Sequence, residues 1–247
     1  MIEVKAIAPR KRDLLPFVKF PIRLYRGNPC YVPPLVLDEV ATLSPDKNPA
    51  FDFCEAQCFM AYRDGKPAGR IAAIINRQVN ERTGHLDARF GFFDFVDDRA
   101  VSAALLGAAE QWAREKGMTH IVGPLGFTDL DREGLLTFGF DELGTMATNY
   151  NFPYYEEHVL GAGYQPDTEW LEFVMDVPDA IPEVMNRVAD IVKRRFGLKV
   201  RKYTDKKAIK RDYGRALFEL INETYDQLYG YSPLTDRQIE AYINEYL

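Results

Sequence analysis

The sequence predicts an α/β chain of the α+β kind, with a mixed, mostly antiparallel sheet and flanking helices. Two observations carry this. Strand patterns at Gln57 to Arg63 and Pro67 to Asn76 flank Asp64-Gly65, a dipeptide that favours the tight turn of an antiparallel hairpin. A third strand pattern, Ala88 to Val96, runs directly into a capped helical pattern, and a short apolar strand, His120 to Val122, comes next.

The other elements follow in order. Glu3 to Ile7 reads as a short strand. Arg12 to Tyr25 reads as a helix that Pro16 and Pro21 break or kink. Asn28 to Pro49 carries five prolines and reads as an irregular, rigid loop. Asp97 or Asp98 supplies a helix cap. Val101, Ala104, Leu105, Ala108 and Trp112 repeat at helical spacing behind it, and Gly117 ends the helix. Gly123 to Tyr150 is a long, glycine-punctuated loop, and a short helix starts near Pro153. Thr168 to Val177 reads as a strand. Pro182 opens a helix with Ile181, Val184, Met185, Val188, Ile191 and Val192 on one face, closed by Gly197. Leu198 to Tyr203 is a further predicted strand. Lys207 to Leu228 is a predicted helix with Ile209, Tyr213, Ala216, Leu217, Leu220 and Ile221 inward.

This last unit resembles the first. Val4 to Ile7, a basic helix, Leu24-Tyr25-Arg26-Gly27 and Tyr31 to Leu35 are matched by Leu198 to Tyr203, a helix, and Leu228-Tyr229-Gly230-Tyr231-Ser232-Pro233-Leu234. The second copy reaches Leu247 inside a helical pattern without a cap, so it reads as incomplete. The expected division is residues 1–180 as one domain, 181–197 as a linking helix and 198–247 as the start of a second repeat.

Composition excludes several classes. The 247 residues are 47% apolar and 28% charged, ordinary globular values that rule out disorder and collagen-like structure. No apolar run approaches the roughly 20 residues of a membrane span, and Met1 to Lys5 opens no secretory signal. Three cysteines, Cys30, Cys54 and Cys58, are an odd set and not a disulfide framework. The expected location is the cytoplasm. Cys54 and Cys58 have no evident further metal ligands, because His85, His120 and His158 are scattered, so no metal is expected. The net charge of −6 conceals a basic stretch, Lys193 to Arg211, with ten basic residues and one acid. A mostly acidic chain without a recognition motif is not expected to bind nucleic acid. The basic stretch either forms solvated helix ends or meets an anionic ligand or membrane surface.

The long loop opens Asp129-Leu130-Asp131-Arg132-Glu133-Gly134, like a calcium loop. The glutamate such a loop needs eleven residues after Asp129 falls on Phe140, which excludes calcium. Its carboxylates are candidates to bind or deprotonate an amine. Phe127, Leu135, Leu136, Phe138 and Phe140 make it an apolar lid, suited to a long acyl chain or a lipid-like amine.

The order β-β-β-α-β-loop-α-β over Cys58 to Val177 resembles the Gcn5-related N-acetyltransferase (acyl-CoA N-acyltransferase) superfamily. Gly117-Met118, Gly123-Pro124-Leu125, Gly134-Leu135-Leu136, Gly139-Phe140-Asp141 and Asn151-Phe152-Pro153-Tyr154-Tyr155 resemble a bacterial tandem-domain branch of it. The resemblance implies splayed central strands, acyl-CoA as co-substrate, and transfer of the acyl group to a primary amine. It implies that Phe93, Phe95 and Val96 meet the acyl-pantetheine arm, with an oxyanion contact from the Phe93 to Phe95 backbone. It also implies that Arg99, Ala100, Val101 and Ser102 hold the pyrophosphate at a helix N-terminus.

Two features depart from the superfamily pattern. Val96 to Ala103 holds no glycine and carries Asp97 and Asp98 where the phosphate loop belongs. Val159 stands where the usual proton-donating tyrosine would be. Tyr154, Tyr155 and His158 are the nearby candidates for that proton, and Asp94 and Glu133 are candidate bases. These departures leave open an alternative, a catalytically degenerate domain that binds a ligand or partner without turnover.

Overall fold

The computed structural model describes residues 1–145 and 147–246. Met146, in the predicted lid, and Leu247, the end of the predicted second repeat, lie outside the described residues. Among the described residues the sheet has five strands in the order β1 (Ile2–Ile7), β2 (Cys54–Arg63), β3 (Lys66–Asn76), β4 (Asp87–Phe95) and β5 (His120–Val122). β1 to β4 are antiparallel neighbours, and β5 lies parallel to β4. Asp64 and Gly65 both take left-handed backbone angles, φ 50° and 77°, which closes the β2–β3 hairpin as their sequence predicts.

β4 and β5 pair only from Asp87 to Arg89 against His120 to Val122. The Leu125 N–H then donates to the Phe90 carbonyl at 2.8 Å, and past Gly91 the chain leaves β4. β4 also carries a bulge. Ala72 faces Gly91 while Arg70 faces Asp94, so β4 spends one residue more than β3, and Phe92 takes φ 48°. This mixed sheet, splayed beyond β4 and crossed by a helix between its last two strands, is the mostly antiparallel α+β arrangement with flanking helices that the sequence predicts.

Helices cover both faces. α1 (Lys11–Leu24) and α2 (Val36–Thr42) lie on one face, where Leu14, Phe17 and Val18 pack with Met60, Ala72 and Ile74. α4 (Arg99–Glu115) and α5 (Tyr154–Gly161) lie on the other, where Val101 and Leu105 pack with Ile71, Ala73, Phe90 and Phe95. Alternate residues of Ile71 to Ile74 thus enter opposite cores, which is why this strand reads as an unbroken apolar run. α4 starts at the predicted cap, with Asp98 accepting from the Ala100 N–H at 3.0 Å, and Gly117 follows its end at φ 82°.

Several sequence expectations need correction. α1 runs through both prolines. Pro21 leaves the Phe17 carbonyl without its helical donor, and the Arg70 guanidinium donates to that oxygen at 3.2 Å instead. The proline-rich stretch holds α2 and is followed by a 3₁₀ turn at Pro49–Asp52. α3 (Arg77–Thr83) has no counterpart in the sequence reading.

The largest difference lies further on. Residues 168–177 and 198–203 form no strand, because no sheet edge meets them, and most of their apolar side chains are exposed. α6 (Glu183–Phe196) forms as predicted but buries none of its residues. α7 (Lys206–Thr224) turns inward at Gly214 and Phe218, and Leu217 and Leu220 face solvent. α8 (Asp236–Tyr246) closes a small cluster of Phe218, Leu234 and Ile239 with α7. The α7–α8 turn lies against the first part of the chain: Arg82 and Arg89 donate to the Tyr231 and Gly230 carbonyls, and Asn76 bonds the Ser232 hydroxyl.

Candidate active site in the cleft beyond β4

The splay opens a cleft of about 260 Å³. The bulge, Gly91 to Asp94, is one wall, and Pro124 to Gly126 is the opposite one. Asp131, Arg132, Gly134 and Leu135 come from the long loop, Asn149 to Asn151 from its far end, and Tyr31, Asp38 and Glu39 from the proline-rich stretch. Two close approaches shape it. A Cβ on Gly91 would stand 2.3 Å from the Leu125 carbonyl oxygen, and one on Gly126 would stand 2.2 Å from the Asp131 Cβ. Glycine is therefore required at both places.

Asp94 sits at the base of the cleft, buried and with both oxygens engaged. Oδ1 accepts from the Tyr25 hydroxyl at 2.9 Å, and Oδ2 accepts from Arg70 Nε at 2.7 Å. Arg70 also donates to Glu39 at 2.5 Å. Two carboxylates against one sealed guanidinium hold Arg70 firmly charged, above its ordinary value despite burial. Tyr25 shares a hydrogen bond of 2.7 Å with Tyr155, and burial followed by the Asp94 charge raises both phenols well above the ordinary range. Both stay protonated at neutral pH.

Tyr154 and Tyr155 close the β4 end. The Phe95 N–H donates to the Tyr155 hydroxyl at 3.0 Å, and the Tyr154 hydroxyl donates to the Phe95 carbonyl at 2.5 Å. The Phe95 backbone, expected to meet the pantetheine arm, is thus already paired. His158 is buried and spans Ser102 Oγ at 2.8 Å and Asp97 at 3.1 Å. It ties α5 to the start of α4, and Ser102 is itself buried beneath it.

The α4 N-terminus is similarly occupied. Asp98 caps the Ala100 N–H and pairs with Arg63, Arg99 pairs with Glu157, and Val101 and Ser102 donate to the Asp98 carbonyl. Val96 continues β4 by donating to the Ala68 carbonyl at 2.9 Å, and Phe93 lines the cleft.

The loop carboxylates divide. Asp131 lines the cleft, held by the Thr128 N–H at 3.0 Å, and burial raises its pKa. Glu133 does not line it. It faces the interior toward Arg89 and Gly230, its Oε1 is buried without a hydrogen-bond partner among the described residues, and burial raises its pKa to about 7. Cys54 and Cys58 are buried thiols, pushed up to about 12 by burial, and no group of residues suited to a metal occurs among the described residues.

Sequence reasoning passed over Tyr25, Tyr31, Glu39 and Arg70. The signal available was the Leu24-Tyr25 motif, which was legible only as a repeat.

No family model matches the chain. Over 241 residues, 96% of its length, it is 33% identical to a Caulobacter vibrioides protein named bacterial ceramide synthase, 60% of which it spans. Over 232 residues, 92% of its length, it is 30% identical to protein YghO of Escherichia coli, spanning 57% of it. The chain therefore spans about three-fifths of the curated relatives it matches. Among solved structures, a tandem GNAT protein from the clavulanic acid pathway is 16% identical, with a TM-score of 0.44 over 66% of this chain and 43% of that one. A putative acetyltransferase from Agrobacterium tumefaciens is 13% identical, with a TM-score of 0.42 over 70% of this chain and 99% of that one.

Proposed function

We propose that the chain carries the acyl-transfer cleft of an acyl-CoA-dependent N-acyltransferase whose acceptor is the primary amine of a lipid-like molecule. One observation supports this most: the bulged β4 opens onto a cleft rich in carboxylates, in a chain one-third identical to a protein named for ceramide synthesis. Ceramide is an N-acylated long-chain amine, and the apolar lid residue Leu135 lies on the cleft wall.

In this reading the amine attacks the thioester carbonyl directly. The C–N bond forms, the C–S bond breaks, the amine loses a proton to a base, and the thiolate gains one. Asp131 is assigned as the base, since it borders the cleft and its raised pKa improves its proton affinity. Tyr31, also on the cleft and kept protonated by burial, is assigned as the proton donor. Asp94 is a positioning residue that fixes Tyr25 and Arg70, and Tyr154, Tyr155 and His158 brace Phe95 and the start of α4 beside the cleft. Glu133 lies behind the cleft and takes no proton from substrate. No step uses the α4 N-terminus. The repeat-like units 1–180 and 198–247, joined through 181–197, belong to the same reading as a tandem arrangement.

The capped α4 terminus and the paired Phe95 backbone favour a second reading, a domain that binds ligand without turnover. The test is thiol release and amide formation with palmitoyl-CoA and acetyl-CoA, each offered a long-chain amino alcohol and small polar amines. Turnover of palmitoyl-CoA on the long-chain amine supports the first reading. Turnover confined to acetyl-CoA and small amines overturns the lipid-like acceptor. Thermal stabilisation by acyl-CoA with no amide formed supports the second reading.

A further inference from the structure

α6 presents an exposed apolar face, next along the chain to the exposed apolar side chains of residues 171–177. Its residues repeat at helical spacing: Val184, Val188, Ile191 and Phe196 share one side with Met185 and Val192. Val188 is 52% and Ile191 55% exposed, and no residue of the helix is buried. Glu183, Asn186 and Asp190 fall on the opposite side. Arg195 enters this face only in the last turn, and a helix with so exposed an apolar face is unstable in water unless something covers it.

The charges beside it select the cover. Arg187 and Arg194 flank the apolar arc on one edge and Lys193 on the other. Arg195 lies over the Phe196 ring at 5.5 Å in the last turn. From Lys193 to Arg211 the chain has ten basic residues and one acid. An apolar arc bordered by arginine and lysine, opposite a polar side, fits a helix lying in the plane of a lipid–water interface. The basic run beyond Gly197 complements an anionic headgroup layer. No helix among the described residues is long and apolar enough to cross a membrane, so the contact is one of surface insertion.

We infer that α6 and the basic run after it form a peripheral docking surface for an anionic lipid bilayer. The inference rests on this surface and not on the acyl-transfer reading. It would carry the cleft to the phase in which a lipid-like acceptor resides.

The test is flotation of the purified chain with vesicles of phosphatidylcholine alone and of phosphatidylcholine with phosphatidylglycerol. Two double variants accompany it, Val188→Asp with Ile191→Asp and Lys193→Glu with Arg194→Glu. All four positions are exposed, so the variants leave the core intact, and circular dichroism confirms that. The chain floats with the anionic vesicles and not the neutral ones, less so in high salt, and each variant lowers the bound fraction at least tenfold. The inference is overturned if the wild type stays in the dense fraction with anionic vesicles, or if the aspartate variant floats as well as the wild type. A dimer detected by light scattering that the aspartate variant dissolves, with no flotation of the wild type, overturns it in favour of a second copy.

Discussion

Replacing Glu133 by glutamine tests the electrostatics behind the cleft in one substitution. The Glu133 carboxyl has an ordinary value of 4.5 and is raised by burial to about 7, with only partial relief from Arg89. In the folded chain it holds its proton up to about pH 7, whereas the unfolded chain releases it from 4.5 upward. Stability is therefore unaffected below pH 4.5, falls as pH rises from 4.5 to 7, and stays lower above that. At about 1.36 kcal/mol per tenfold change the ceiling is about 3.4 kcal/mol. Glu133 is only half-buried, so solvent screening brings the expected loss to about 1–2 kcal/mol. Glutamine carries no charge and escapes this loss. Urea unfolding at pH 4.5 and pH 8 measures it: Glu133→Gln matches the wild type at pH 4.5 and exceeds it by about 1–2 kcal/mol at pH 8. An equal difference between the two proteins at both pH values would refute the reasoning, since it would mean that Glu133 titrates as an exposed carboxyl.

Other outcomes follow from the same geometry. Arg70→Met leaves Asp94 and Glu39 without their shared cation and lowers stability by about 3–5 kcal/mol in urea unfolding. Tyr155→Phe strands the Phe95 N–H, leaves the Tyr25 hydroxyl with Asp94 alone, and costs about 1–3 kcal/mol by the same measurement, with Tyr154→Phe, at a part-buried site, costing less. Gly91→Ala drives a methyl into the Leu125 carbonyl and costs about 1–3 kcal/mol while moving the Pro124 to Gly126 wall, seen as a change in amide exchange there. Under native conditions a thiol reagent modifies Cys30 rapidly. Cys54 and Cys58, buried and with thiols pushed up to about 12, react only after denaturation, which mass spectrometry resolves.

The parts of the fold legible in the sequence are those that short-range chemistry decides. Asp64-Gly65 needs no partner beyond its own hairpin, and Asp98 caps the helix that begins with the next residue. Residues 168–177 and 198–203 have the composition of strands, but a strand exists only against an edge, and composition does not supply one. Pro21 is tolerated inside α1 because Arg70, far along the chain, donates to the Phe17 carbonyl that the proline leaves free. The inward face of α7 depends on what α8 presents to it.

The site follows the same division. Asp94 was recognisable as an acid between phenylalanines, but its partners Tyr25 and Arg70 lie 69 and 24 positions away. Tyr154, Tyr155 and His158 were recognisable as polar groups near β4. That they bond Phe95, Ser102 and Asp97 is a property of helix packing. Asp131 and Glu133 are two positions apart, and only the path of the loop decides which of them meets the cleft.

In the proposed reading, amine acylation takes place in the cleft at the β4 bulge. The most direct measurement is the rate of amide formation from palmitoyl-CoA and a long-chain amino alcohol in the wild type, Asp131→Asn and Glu133→Gln. The expected outcome is turnover by the wild type, a loss of about 100-fold or more in kcat for Asp131→Asn, and a rate close to wild type for Glu133→Gln. Wild-type turnover that survives Asp131→Asn undiminished, or no amide from the wild type at all, would contradict it.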